Sequence, residues 1–298
     1  MGECMIRFSG SMVALVTPMQ VSGAVDESAL TELIEWHIAA GTDALVIAGT
    51  TGESPTLTSE EHARLIASSV QVARGRIEII AGAGSNSTRQ TLDMSRRAAA
   101  AGADGLMLVV PYYNRPPQRA LVEHFRTITR ALDLPIVLYN VPSRTGTDLL
   151  PETVAELAQE SRIVGIKEAS GHLERVVQLR RLCGADFALL SGDDASATAF
   201  MLAGGDGVIS VTANVVPGRV KQLCEASRKG DVVRARQLDA ELSPLNQALF
   251  IESNPIPVKW ALERMNRIKS GIRLPLLPLA RSARPRVETA LVGLGLVT

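Results

Sequence analysis

The sequence is poor in the residues that build covalent or metal scaffolds. Its 298 residues include three cysteines, and Cys4, Cys183 and Cys224 are too few and too widely spaced for a disulfide framework or a zinc cluster. It has no excess of charge: 31 basic and 31 acidic side chains give a formal net charge of +0. That balance offers no electrostatic reason to bind nucleic acid or an anionic membrane. No apolar run is long enough to span a bilayer. The opening Met1-Gly2-Glu3-Cys4-Met5-Ile6-Arg7 lacks the basic stretch and apolar core of a signal peptide. No glycine-rich dinucleotide fingerprint follows the first apolar run, and Gly82-Ala83-Gly84 after the third falls short of one. Aromatic residues make up 3%, with only three tyrosines. The expectation is a reduced, cytoplasmic, soluble protein without a metal site, a nucleic-acid partner or a membrane partner.

What is present is apolar and periodic. At 46% hydrophobic, the chain can bury a large core, and its length permits one or two domains. Short β-rich runs alternate with helical patterns. The predicted strands are Val13–Val16, Ala44–Ala48, Ile77–Ala81, Gly105–Val109, Ile136–Tyr139, Ile163–Ile166, Phe187–Leu190 and Gly207–Ile209. Predicted helices include Glu27–Ala40, Ser59–Arg74, Thr88–Ala101, Gln118–Leu132 and Pro151–Glu160. Their start signals are Thr58 or Ser59 before acids, Ser87 ahead of Gln90, and the helix-opening Pro151. Eight strands with helical connections give the α/β class and a closed (β/α)8 TIM barrel, with an open doubly wound sheet as the alternative. The barrel is expected over 1–225 and a C-terminal helical region over 226–298, with pieces Asp231–Leu242, Pro244–Phe250 and Pro257–Asn266. Arg281–Arg286 reads as a solvated turn, and the segment after about 270 stays unplaced.

In such a barrel the chemistry collects at the carboxyl ends of the strands. Lys167 ends the apolar run Ile163-Val164-Gly165-Ile166. Burial there disfavours the ammonium, and a neutral amine attacks carbonyls, so Lys167 reads as a Schiff-base nucleophile. The competing reading is a strand-end lysine that reaches water or pairs with Glu168. Gly49-Thr50-Thr51-Gly52 can present N–H groups and hydroxyls to a small carboxylate, or be a plain glycine turn. Arg144 can grip a second carboxylate through its planar fork, or form a surface ion pair. All three tyrosines, Tyr112, Tyr113 and Tyr139, fall in these loops, where a phenol can move a proton. Asp193 and Asp194 have no histidine or acid spaced to share a metal and read as acceptors for loop amides. His37 and His124 lie on helical patterns and read as surface or packing residues.

Together, Gly49-Thr50-Thr51-Gly52-Glu53, Pro111-Tyr112-Tyr113-Asn114-Arg115-Pro116, Tyr139-Asn140-Val141-Pro142-Ser143-Arg144-Thr145-Gly146, Lys167-Glu168-Ala169, Ser191-Gly192-Asp193-Asp194 and Asn254-Pro255-Ile256-Pro257-Val258-Lys259 resemble the dihydrodipicolinate synthase family over nearly the whole chain. The resemblance implies a lysine-dependent class I aldolase on a (β/α)8 barrel. It would condense pyruvate with L-aspartate 4-semialdehyde to 4-hydroxy-tetrahydrodipicolinate, toward diaminopimelate and lysine. It implies Lys167 as the imine-forming residue and Tyr139 as proton donor and acceptor, linked through Thr51 to Tyr113. Tyr113 would enter from a neighbouring subunit, which implies a homo-oligomer, a tetramer of tight dimers. Thr50, Thr51, Gly192 and Ile209 would hold pyruvate, and Arg144 the semialdehyde carboxylate. No metal or organic cofactor is implied, since the lysine is the electron sink.

Relatives such as N-acetylneuraminate lyases and 2-keto-3-deoxy sugar acid aldolases resemble the chain at the lysine and first tyrosine, but Arg144 favours the synthases. A non-catalytic barrel serving as a binding module is the alternative of a different class. The resemblance also places Ser54, His62, Asn86 and Tyr112 at a lysine-binding cavity on a dimer interface. Gln90 and Ser59 depart from the lysine-sensitive pattern, so inhibition by lysine is expected to be weak or absent.

Overall fold

Eight buried apolar runs form the strands of a computed structural model that describes residues 8–298; Cys4 and the opening Met1–Arg7 lie outside the described residues. The strands are β1 Gly10–Ala14, β2 Ala44–Ile47, β3 Glu78–Gly82, β4 Gly105–Val109, β5 Ile136–Asn140, β6 Ile163–Glu168, β7 Ala188–Ser191 and β8 Gly207–Ser210. They pair in parallel and in chain order, and β8 returns to β1 to close the barrel. The covering helices are α1 Glu27–Ala39, α2 Ser59–Ala73, α3 Thr88–Ala100, α4 Gln118–Thr129, α6 Pro151–Leu157, α7 Glu174–Cys183, α8 Ala197–Leu202 and α9 Pro217–Arg228, with the single turn α5 Pro142–Thr145 before α6. The (β/α)8 barrel read from the sequence is the fold observed. Closure leaves no sheet edge, and helices on the outside explain why the strands are apolar on both faces.

Start signals act as read. Thr58 and Glu61 form a reciprocal capping box on α2, Ser87 accepts from the Gln90 N–H on α3, and Pro151 opens α6. Three aspartates fix strand register at the opposite, amino-terminal end. The N–H of Asp43 donates to Ser11 O at 2.8 Å while its carboxylate accepts from the Ser11 N–H at 2.8 Å. Asp104 does the same with Ile79, and Asp206 with Leu189. Each follows Gly-x at a strand start: Gly41-Thr42-Asp43, Gly102-Ala103-Asp104 and Gly204-Gly205-Asp206.

Many expected boundaries shift by a few residues, α4 ending at Thr129 and α6 at Leu157 among them, and two differences have a clear cause. The first strand is Gly10–Ala14 rather than Val13–Val16, because beyond Ala14 the Asn214 side chain takes over as partner: its Oδ1 accepts from the Val16 N–H at 3.0 Å. The expected break at Pro244 is absent, and α10 Val232–Ala248 runs through it. A helix-interior proline costs about 3 kcal/mol, which the buried face of Leu238, Leu242, Leu245 and Ala248 offsets. The unplaced tail contains α12 Arg284–Gly293, which packs on α10 and on α11 Ile256–Arg264. Residues 281–283 form the turn expected there, and Arg284 begins the helix. His37 and His124 are both buried packing residues, each with Nδ1 at 2.9 Å from a threonine hydroxyl.

Candidate active site

Lys167 reaches the barrel interior through an irregularity in β6. Against β5, Ile136 pairs with Ile163 but Val137 pairs with Gly165, so β6 carries one extra residue. After this bulge Tyr139 and Lys167 are partners across the two strands. Lys167 is 5% exposed, and its Nζ lies 4.5 Å from the centroid of the Tyr139 ring. Glu168 points the other way: its carboxylate accepts from Ser170 N–H at 2.6 Å and Asn140 Nδ2 at 3.2 Å, and lies 3.6 Å from Arg175. The pairing of Lys167 with Glu168 that the sequence left open does not occur. Among the described residues Lys167 has no carboxylate within ion-pairing distance.

That isolation sets the electrostatics. Burial lowers the Lys167 ammonium to about 8; the Asp194 carboxylate opposes the shift and the Arg144 charge adds to it. Burial raises the Tyr139 phenol, against the pull of Arg144 and a hydrogen bond with the Thr50 side chain. At neutral pH Tyr139 is therefore a protonated donor, and Lys167 holds a reactive neutral fraction. Asp194 is itself a structural acceptor: Ser210 Oγ and the N–H groups of Val211 (2.8 Å) and Thr212 (3.0 Å) donate to it. Asp193 accepts from the Ser196 N–H at 3.0 Å. Both aspartates serve loop groups, as read from the sequence.

The loop after β2 divides its two threonines. Thr50 is the hydrogen-bond partner of Tyr139. Thr51 is buried, and its Oγ1 accepts from Asn254 Nδ2 at 2.9 Å. The link from Tyr139 thus runs to Thr50, not to Thr51 as the resemblance implied, because the tight turn sends neighbouring side chains in different directions. Glu53, with φ +55°, forms a buried ion pair with Lys259 of α11 and accepts from the Arg273 N–H at 3.1 Å. Arg273 also clamps Glu61 of α2 through two bonds of 2.6 and 2.7 Å. Asn254, Lys259 and Arg273 received no role from the sequence, since contacts made by side chains so remote along the chain leave no local signal.

Gly192 and Ile209 line the place where Lys167 lies. Ile209 is buried in the inner barrel cluster with Tyr139 and Leu190. A Cβ on Gly192 would sit 2.6 Å from Ala169 Cβ and 3.1 Å from Lys167 Cε. Only glycine leaves that room. Arg144, on α5, has no acidic partner among the described residues; its Nη2 lies 3.5 Å from Asn254 O. A guanidinium without an ion pair contradicts the surface salt-bridge alternative.

A cavity of about 350 Å³ opens against Thr50, Tyr139 and Arg144 and continues to Ser54, His62 and Tyr112. Lys167 is not on its wall; Tyr139 is the residue that both share. Ser59 and Gln90 also border the cavity, whereas Asn86 does not, and its carbonyl accepts from Asn114 Nδ2 at 2.9 Å. His62 is buried with Nε2 at 2.8 Å from Gly82 O, and burial pushes its pKa down. Tyr113 is not brought to the site within one chain. It is 89% exposed, at φ +73°, with its N–H donating to Thr145 O at 3.1 Å.

A model of the dihydrodipicolinate synthetase family matches residues 7–293. The chain belongs to that family. The 4-hydroxy-tetrahydrodipicolinate synthase of Alcanivorax borkumensis is 54% identical over 293 residues, covering 98% of this chain and 99% of that protein. The crystal structure of the chloride-inhibited dihydrodipicolinate synthase of Acinetobacter baumannii with pyruvate superposes with a TM-score of 0.96 at 47% identity, over 97% of this chain and 99% of that one. The synthase of Cyanidioschyzon merolae with lysine bound matches with a TM-score of 0.95 at 39% identity, covering 97% and 99%. Among the described residues no helix is long and apolar enough to cross a membrane.

Proposed function

We propose that this chain is a 4-hydroxy-tetrahydrodipicolinate synthase, a lyase of the class I aldolase type acting in diaminopimelate and lysine biosynthesis. The observation that carries the reading is Lys167: buried, unpaired, lowered to about 8, and 4.5 Å from the Tyr139 ring at the carboxyl end of the barrel. Neutral Nζ attacks the keto carbon of pyruvate, and the carbinolamine loses water to give the imine. Tyr139 supplies and recovers the protons of these steps through Thr50. The cationic imine acidifies the methyl group, and loss of one proton leaves an enamine. The enamine carbon bonds to the aldehyde carbon of L-aspartate 4-semialdehyde, whose oxygen takes a proton. The substrate amine then displaces Nζ at the imine carbon, closing the ring and freeing Lys167. The balance is pyruvate plus semialdehyde giving product plus water, with no redox step.

Thr50 and Thr51, with Gly192 and Ile209, hold pyruvate, and Arg144 receives the semialdehyde carboxylate. The exposure of Tyr113 supports its insertion into a neighbouring subunit of a cytoplasmic homotetramer built from tight dimers. Of the described residues, 8–228 make up the catalytic barrel, the expected boundary at 225 falling inside α9, and the remainder is a helical region that fastens its loops. Ser54, His62 and Tyr112, which border the cavity, mark a lysine site; Asn86, implied with them, lies off its wall. Gln90 brings no charge to it, and its Oε1 already accepts from Ser85 Oγ at 2.7 Å.

The test is a coupled assay with pyruvate, L-aspartate 4-semialdehyde and the NADPH-dependent reductase that consumes the product. NADPH oxidation that vanishes in Lys167→Ala is the expected result. Turnover that survives in Lys167→Ala, or its absence in the native chain, overturns the reading. Borohydride trapping with pyruvate then reports whether an imine forms at Nζ.

A further inference from the structure

Asn254 stands out because it is a buried amide half of whose hydrogen-bonding capacity is unused. Its Nδ2 donates to Thr51 Oγ1 at 2.9 Å, while its buried Oδ1 has no partner among the described residues. An uncompensated buried acceptor is unfavourable, and a leucine of similar shape would avoid it. The donor is therefore the feature that makes the amide useful here. A hydroxyl has one proton, and an incoming N–H occupies a lone pair of its oxygen. Thr51 must then point its own proton away from Asn254.

We propose that Asn254 is a positioning residue that fixes the Thr51 hydroxyl as a donor to the carboxylate of the keto acid. The inference rests on the assignment of Thr51 to pyruvate binding. Asn254 is well held for the task. It precedes α11, which Lys259 ties to Glu53 in the same loop as Thr51, and its backbone carbonyl faces the Arg144 guanidinium at 3.5 Å. The helical region thereby reaches both the pyruvate loop and the arginine through one residue.

The test measures the pyruvate concentration that half-saturates borohydride trapping, read by intact mass, which does not require the second substrate. Replacing Asn254 by leucine removes the donor without adding charge. It should raise half-saturation roughly tenfold to a hundredfold, the loss of one hydrogen bond to an ionised group. Asn254→Asp keeps the shape but inverts polarity, since a carboxylate draws the Thr51 proton toward itself, and it should bind pyruvate at least as poorly. In the double variant Thr51→Val/Asn254→Leu, half-saturation should match that of Thr51→Val alone, a non-additivity that loosened folding would not produce. If Asn254→Leu fails to fold, Asn254→Ala, which also lacks a side-chain donor, carries the same expectation.

The inference fails if the leucine variant stays within about twofold of the native chain. It also fails if the aspartate variant binds pyruvate as well as the native chain, which is the signature of Thr51 donating to the amide. Multiplying effects in the double variant refute it too. A native chain that traps pyruvate but ignores the semialdehyde would overturn the proposed second substrate and leave this inference intact; one that traps nothing overturns both.

Discussion

Replacing Lys167 by methionine should abolish catalysis and stabilise the fold. Methionine keeps an unbranched stem over Gly192 and beside Tyr139 but carries no charge to desolvate. Lowering an ordinary lysine from 10.5 to about 8 corresponds to about 3 kcal/mol against the charged form. The cation–π contact with Tyr139 returns about 1 kcal/mol, so the variant should gain about 2 kcal/mol at pH 7. The sign is set by linkage. The unfolded chain keeps the lysine proton up to 10.5 whereas the folded chain releases it near 8. Between those values the unfolded state binds more protons, so native stability rises with pH. The advantage of Lys167→Met is therefore full below about pH 8 and gone by about 10.5. Equilibrium urea unfolding of both proteins at pH 7 and pH 10, at one fixed protein concentration because the protein is expected to be oligomeric, reads this directly. A variant less stable than the native chain at pH 7, or a gain that persists unchanged at pH 10, would refute the account of a desolvated, unpaired ammonium.

The other expectations rest on single contacts. Gly192→Ala puts a methyl 2.6 Å from Ala169 Cβ and 3.1 Å from Lys167 Cε, so the imine-trapping rate should fall at least about tenfold while the barrel survives by circular dichroism. Arg144→Ala should chiefly raise KM for the semialdehyde, by about 1.5–3 kcal/mol of lost charge-assisted bonding; an equal fall in pyruvate trapping would disprove the division of labour. Lys259→Met strands the Glu53 carboxylate and should cost about 3–5 kcal/mol in urea unfolding, part of it recovered on adding Glu53→Gln. Titrating turnover with lysine should give weak inhibition or none, and half-inhibition well below about a millimolar would defeat the argument from the missing charge at Gln90.

What the sequence made legible is what local rules encode. Apolar runs bounded by turns gave the strands. The Thr58, Ser87 and Pro151 signals gave helix starts, and a lysine ending a buried run gave the proposed nucleophile. What it hid depends on contacts between distant elements. Thr50 and Thr51 are adjacent and chemically alike, and only the turn of the loop decides that Thr50 meets Tyr139 while Thr51 meets Asn254. Pro244 reads locally as a break, yet burial along α10 overrides it. The aspartate pins at the amino-terminal face were visible as a repeated Gly-x-Asp but acquire meaning only once the strand before each is known.

The bulge in β6 is the most consequential of these hidden features, because a strand has period two and one inserted residue exchanges its faces. Ile163 packs outward with the helices and Val164 inward with the barrel core. Strict alternation from there would send Ile166 inward and Lys167 out under the helices. The register shift restarts the count: Gly165 pairs with Val137 and Lys167 with Tyr139, both on the inner face, while Ile166 joins the outer core. The restart needs a glycine, since a Cβ on Gly165 would meet Ala188 Cβ at 2.6 Å. It also decides which charge is left alone. Glu168, turned outward, is met by Asn140, Ser170 and Arg175, and the lysine, turned inward, by an aromatic ring. A strand without the slip would give the glutamate the interior and the lysine the polar partners, and the same sequence of residues would hold no buried lysine beside Tyr139.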